Sequence, residues 1–185
     1  MEEEVPIKYQ HLEDQLLYEL DKNHPPVFKS DLKILTGLEL YDCHLDELGF
    51  LEHCENLEKL IFQNNIRRRP LQTLPHLPKL KELGIIGESV KNLSFLAQCP
   101  NLEKLYLHSC GPVDISSINY LTQLRKLSLE SINIRGFEKL NQMDTVVELH
   151  LQDIFQGDIP FRKFPNVKEL SCRGVDFRNF AVLFT

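Results

Sequence analysis

The chain has 185 residues, a formal net charge of −6 and 42% apolar residues. That length fits one domain with a sizeable core, and that apolar fraction excludes general disorder. The acidic balance argues against a general nucleic-acid binder, and the start Met1-Glu2-Glu3-Glu4 has neither the basic charge nor the apolar run of a secretory signal.

From about Ile7 to Lys22, Leu12, Leu16 and Leu20 recur every four residues, with Leu17 beside them and charged residues between. That spacing predicts an amphipathic helix, ended by Asn23-His24-Pro25-Pro26. Residues 1–30 are therefore read as a capping helix and linker, and residues 31–185 as a repeat domain.

About seven repeats begin at Leu35, Leu57, Leu80, Leu102, Leu124, Val146 and Val167, with spacings of 22, 23, 22, 22, 22 and 21. Three residues on, every unit has leucine: Leu38, Leu60, Leu83, Leu105, Leu127, Leu149 and Leu170. Five on come Leu40, Phe62, Ile85, Leu107, Leu129, Leu151 and Cys172. Eight on come Cys43, Asn65, Glu88, Cys110, Ile132, Ile154 and Val175. Return positions such as Ile115 with Ile118, or Phe137 with Leu140, lie three apart and predict short helical or 3₁₀ turns. A fixed period with inward leucines predicts one strand per unit, stacked into a parallel sheet over a shared core.

Pro100-Asn101-Leu102-Glu103-Lys104-Leu105 and Asp114-Ile115-Ser116-Ser117-Ile118 make the chain resemble the leucine-rich repeat family from about Asp31 to Thr185. The 22-residue class, as in a regulatory subunit of protein phosphatase 1 and in bacterial internalins, is the nearest pattern. The resemblance implies an α/β solenoid: a horseshoe whose curved parallel sheet lines the concave face, with short return segments. It also implies protein binding. The chain departs from the class at its asparagine column, where only Asn65 is asparagine and Cys43 and Cys110 stand in for it.

All five cysteines, Cys43, Cys54, Cys99, Cys110 and Cys172, fall in core columns and read as buried free thiols. Cys54 and Cys99 are two repeats apart, which places their Cα atoms about 10 Å from each other, too far for a disulfide. Reduced thiols imply an intracellular home, cytoplasm or nucleus. Asn92-Leu93-Ser94 matches a glycosylation sequon, but Leu93 lies in a core column. His108 and Cys110 do not read as a nucleophile pair, because the Cys110 column turns inward and the His108 column outward. The sequence shows no paired carboxylates at a defined spacing, no phosphate-cradling loop and no metal-ligand cluster. We therefore expect no enzyme, no metal and no cofactor, and no apolar run is long enough to span a membrane.

The leading expectation is an adaptor that holds a partner protein on the concave face. Alternation exposes the fourth and sixth strand positions, so the expected protein-binding residues are Tyr41, Ile61, Gln63, Ile86, Tyr106, His108, Glu130 and His150. Gly84 is expected to leave a dip between Ile61 and Tyr106. Alternatives are a ribonucleoprotein component, supported by Arg67-Arg68-Arg69, or a bacterial effector or immunity-type inhibitor that blocks an enzyme. The plainer reading of the three arginines is a solvated loop flank. Phe177, Phe180, Leu183 and Phe184 lie in or beside core columns with no recognisable capping segment after them, which implies self-association or a partner covering that end.

Overall fold

The computed structural model describes residues 2–42, 48–63, 71–87, 90, 92–154 and 159–175. Two helices come first, α1 (Gln10–Glu19) and α2 (Lys29–Ile34). The strands are β1 (Gly37–Tyr41), β2 (Lys59–Gln63), β3 (Glu82–Ile86), β4 (Lys104–His108), β5 (Pro112–Asp114), β6 (Lys126–Glu130), β7 (Asn133–Arg135), β8 (Glu148–Gln152) and β9 (Glu169–Arg173). One sheet has seven parallel strands in the order β1-β2-β3-β4-β6-β8-β9, and β5 pairs with β7 in a second, smaller one.

The repeat frame becomes the sheet register. Leu38, Leu60, Leu83, Leu105, Leu127, Leu149 and Leu170 pair in one continuous row. The first six of these leucines are buried, and the row two residues on is buried from Leu40 to Leu151. Return segments close the core from the other side. They form 3₁₀ turns at Leu48–His53, Ser94–Gln98, Ser116–Tyr120, Phe137–Lys139 and Phe161–Lys163. The 23-residue unit has none between 71 and 77, yet Leu71 and Leu74 are still buried there. Each unit alone would leave its leucines wet, so the solenoid is stable only as a stack.

The first helix is shorter than the expected 7–22. Tyr9 caps it in extended geometry. It ends not at the prolines but at Asp21, whose φ of 52° is left-handed. The Lys22 N–H reaches Leu17 O and the Asp21 N–H reaches Tyr18 O, a Schellman closure. The sequence reading missed α2, which begins where the Asp31 carboxylate accepts the Phe28 N–H at 2.8 Å.

Among the cysteines, Cys54, Cys99 and Cys110 are buried, while Cys172 is half-buried on β9. Burial pushes the Cys54 and Cys99 thiols up to about 12. Cys110 Sγ lies 3.0 Å from Ile85 O of the preceding unit, so it braces its neighbour as an asparagine there would. Cys43 lies outside the described residues.

Candidate protein-binding face

Three rows point outward from the seven-stranded sheet, because successive side chains on a strand alternate between its faces. The strand-start row is Gly37, Lys59, Glu82, Lys104, Lys126, Glu148 and Glu169. The central row is Glu39, Ile61, Gly84, Tyr106, Ser128, His150 and Ser171, and the strand-end row is Tyr41, Gln63, Ile86, His108, Glu130, Gln152 and Arg173.

The charges on this face are largely spent on each other. Lys59 pairs with Glu39 at 2.6 Å, Lys104 with Glu82 at 3.3 Å and Lys126 with Glu148 at 2.8 Å, each across neighbouring strands. The Lys126 hydrogen bond holds Glu148 below the usual carboxylate range, and Glu148 in turn raises Lys126. The Tyr41 hydroxyl donates to Glu39 at 2.7 Å, which raises its own pKa. These pairs are too exposed to add much stability, but they leave the face with few uncommitted cations.

The remaining outward side chains on the middle strands are mostly aromatic, aliphatic or imidazole. Tyr106, Ile86, His108 and His150 are each half-buried. Lys126 Nζ sits 6.0 Å from the Tyr106 ring centroid, at the limit of cation–π range. His108 Nε2 lies 3.7 Å from Glu130 Oε1. His150 Nε2 is shielded from solvent and has no hydrogen-bond partner among the described residues.

Two expectations about this face change. Ile61 is only 7% exposed and offers little contact surface. Gly84 makes no dip, because Ile61 Cδ1 stands 2.5 Å from where a Gly84 Cβ would be. The isoleucine folds over the glycine, burying itself in the space a side chain would have taken. The face therefore offers the half-buried Ile86, Tyr106, His108 and His150, with Tyr41 standing 42% exposed at the first strand. Gln63 and Glu130 are half-buried beside them. Arg67, Arg68 and Arg69 lie outside the described residues.

His108 and Cys110 do not meet as a catalytic pair. Cys110 is buried, and its sulfur contacts the His108 main-chain carbonyl at 3.4 Å. Among the described residues no cluster of His, Cys, Asp or Glu is arranged to hold a metal ion, and no helix is long and apolar enough to cross a membrane.

Sequence reading missed a second set of bracing side chains. Asn56, Asn101 and Asn166 each immediately precede a repeat start, and each donates to a carbonyl one layer back: Lys33 O of α2, and Pro78 O and Asp144 O of the preceding units, at 2.6–2.8 Å. The signal was present as an amide residue just before the first leucine. It also missed Gln15, whose side chain binds the main chain of Tyr41 on the edge strand.

No family model and no curated protein sequence matches the chain. Solved structures do. InlP of Listeria monocytogenes aligns over 90% of this chain and 51% of its own, with a TM-score of 0.66 and 17% identity. Internalin C2 of the same organism aligns over 94% of this chain and 89% of its own, at 0.57 and 19%. A repeat protein of Leptospira interrogans aligns over 91% and 54%, at 0.57 and 22%. The chain thus spans about half the length of two of these three proteins. At such identities the likeness shows the fold.

Proposed function

We propose that this leucine-rich-repeat solenoid is a non-enzymatic interaction module that holds a partner protein on the outer, concave face of its seven-stranded sheet. Residues 1–30 serve as the cap of the first repeat. One observation carries the reading: on that face the lysines are neutralised by carboxylates on adjacent strands, while Ile86, Tyr106 and His108 stand side by side on β3 and β4, with His150 two strands from Tyr106. Contiguous apolar surface is the usual mark of an interaction site, and tyrosine is a frequent anchor within one. Neutralised lysines are the opposite of what phosphate binding requires, which favours a protein partner over a nucleic acid.

The contact set is Tyr41, Gln63, Ile86, Tyr106, His108, Glu130 and His150, with Ile61 packed over Gly84 beside them. Buried thiols at Cys54 and Cys99 support a reducing, intracellular setting. Affinity purification from the source cell, with mass spectrometry and a nucleic-acid assay on the eluate, tests the reading. A stoichiometric protein partner without nucleic acid is expected. RNA in the eluate that survives moderate salt would overturn it in favour of a ribonucleoprotein role.

A further inference from the structure

We propose that the outer edge of β1 is a strand-addition site for an extended partner segment that alternates basic and apolar residues. The site adjoins the face described above, sharing Gly37, Glu39 and Lys59 with its outward rows, but it uses the main chain of the β1 edge and does not rest on partner binding at that face.

The main chain provides the first argument. Thr36 O accepts the Lys59 N–H at 3.0 Å, and the Asp42 N–H donates to Gln63 O at 3.1 Å, so β1 spends its even-numbered residues on β2. In a parallel ladder the odd-numbered residues then aim their N–H and C=O groups the other way. At Tyr41 these groups are already used. The Gln15 amide donates to Tyr41 O at 2.6 Å and accepts the Tyr41 N–H at 2.9 Å. A side-chain amide is chemically a peptide group, so one position of this edge is occupied by a surrogate strand. No such partner serves Gly37 or Glu39 among the described residues.

The surroundings specify the occupant. A groove of about 390 Å³ runs along Gly37 and Glu39, walled by Glu19, Ile34 and Lys59. A Cβ on Gly37 would meet nothing within 4 Å, so the sheet face beside this position is uncrowded. Ile34 is 69% exposed and offers an apolar contact beside the edge. Glu39 is already held by Lys59, but Glu19 is exposed and has no ion pair among the described residues. The whole of α1 carries Glu13, Asp14 and Glu19 and no lysine or arginine. An incoming strand therefore gains main-chain bonds, an apolar contact and a favourable charge if it is basic. Pairing with the same edge of a second copy would set acidic groups against each other, which disfavours that occupant. Strand addition to an exposed edge draws affinity from the main chain and specificity from alternate side chains.

The probe is a capped Lys-Val-Thr-Val-Lys peptide titrated into isotopically labelled protein. The Gly37 and Glu39 amide resonances should shift, and their hydrogen exchange should slow. Ile34→Ser and Glu19→Lys should each weaken binding by about threefold or more, the scale of one exposed contact. Both positions are exposed, and an unchanged Tyr41 amide resonance would show that the edge is intact. The same peptide N-methylated at alternate amides should not bind. Equal binding of the N-methylated peptide, shifts confined to other strands, or no shift at millimolar peptide would each overturn the proposal. So would edge-to-edge dimerisation of the free protein, read as Gly37 shifts on dilution.

Discussion

Among the described residues, the one that follows a strand of the seven-stranded sheet carries the sharpest local constraint in the fold. Asp42, Ser109, Ser131 and Asp153 all have φ between 45° and 53°, and Gly87 and Gly174 fill the same place in their units at 70° and 62°. This backbone turns the chain out of the sheet while its N–H still reaches the next unit, as Ser131 does to Gln152 O at 2.9 Å. Residues with short polar side chains, or none, tolerate this region best. Ser131→Val should therefore cost about 1–2 kcal/mol, whereas Ser131→Gly should change stability by less than about 0.5 kcal/mol. Urea unfolding of both variants checks this, and equal midpoints would contradict it. The column was legible as Asp42, Asn64, Gly87, Ser109, Ser131, Asp153 and Gly174, but tracking apolar residues alone passes over it. Burial sets the second prediction at this scale. With the Cys54 and Cys99 thiols pushed up to about 12, both stay protonated at neutral pH and closed to alkylation. Peptide mapping after maleimide treatment should find them unmodified in native protein and fully modified in urea. Rapid native labelling of either would contradict their place in the core.

At the scale of elements, the solenoid is held at its first strand by side chains and along its convex side by turns. Gln15 ties α1 to the main chain of Tyr41, and His11 Nε2 lies 3.0 Å from the same carbonyl. Gln15→Ala should cost about 1 kcal/mol for the lost pair of partly exposed bonds. It should also speed exchange of the Tyr41 amide, and unchanged exchange there would show that the pair does not bind the edge. The apolar face of α1 was legible in its leucine spacing. Its ends were not, because a Schellman closure on Asp21 and an extended Tyr9 leave no proline or glycine signature. On the convex side, Asp114 accepts the Ser116 N–H at 2.8 Å and pairs with Lys139 at 2.9 Å. Gly136, at φ 85°, passes so close that a Cβ there would collide with this carboxylate. The Ser116 hydroxyl first, then Lys139 and the Ser116 N–H, hold the Asp114 carboxyl down at about 2. A depressed carboxylate stabilises the fold above its ordinary value near 3.8, and that contribution fades as pH falls towards 2. Asp114 is 36% exposed, so solvent screening limits the effect to less than about 1 kcal/mol. The stability gap between wild type and Asp114→Asn should be present at neutral pH and close in acid. A gap independent of pH would remove the ionic account.

At the scale of the whole molecule, a single period converts a one-dimensional pattern into one continuous core and one broad face. The all-leucine column made the sheet register legible from Leu38 to Leu170, because each leucine can be buried only by its neighbours in the stack. The face was legible as rows but not as a surface. Which rows stay open depends on how side chains lean, as Ile61 over Gly84 shows, and on which charges find partners across strands, as Lys126 and Glu148 do. Those are contacts between units, and no single repeat encodes them. The measurement that bears most directly on the proposed function is the affinity of the captured partner for Tyr106→Ala combined with Ile86→Ser, set beside Tyr120→Ala. Tyr120 is 56% exposed on a return segment, away from the sheet face. The double variant should remain folded and lose about 2 kcal/mol or more of binding, the size expected when an anchor is removed, while Tyr120→Ala binds as wild type. A folded double variant with unchanged affinity, or an equal loss in Tyr120→Ala, would contradict the sheet face as the partner surface.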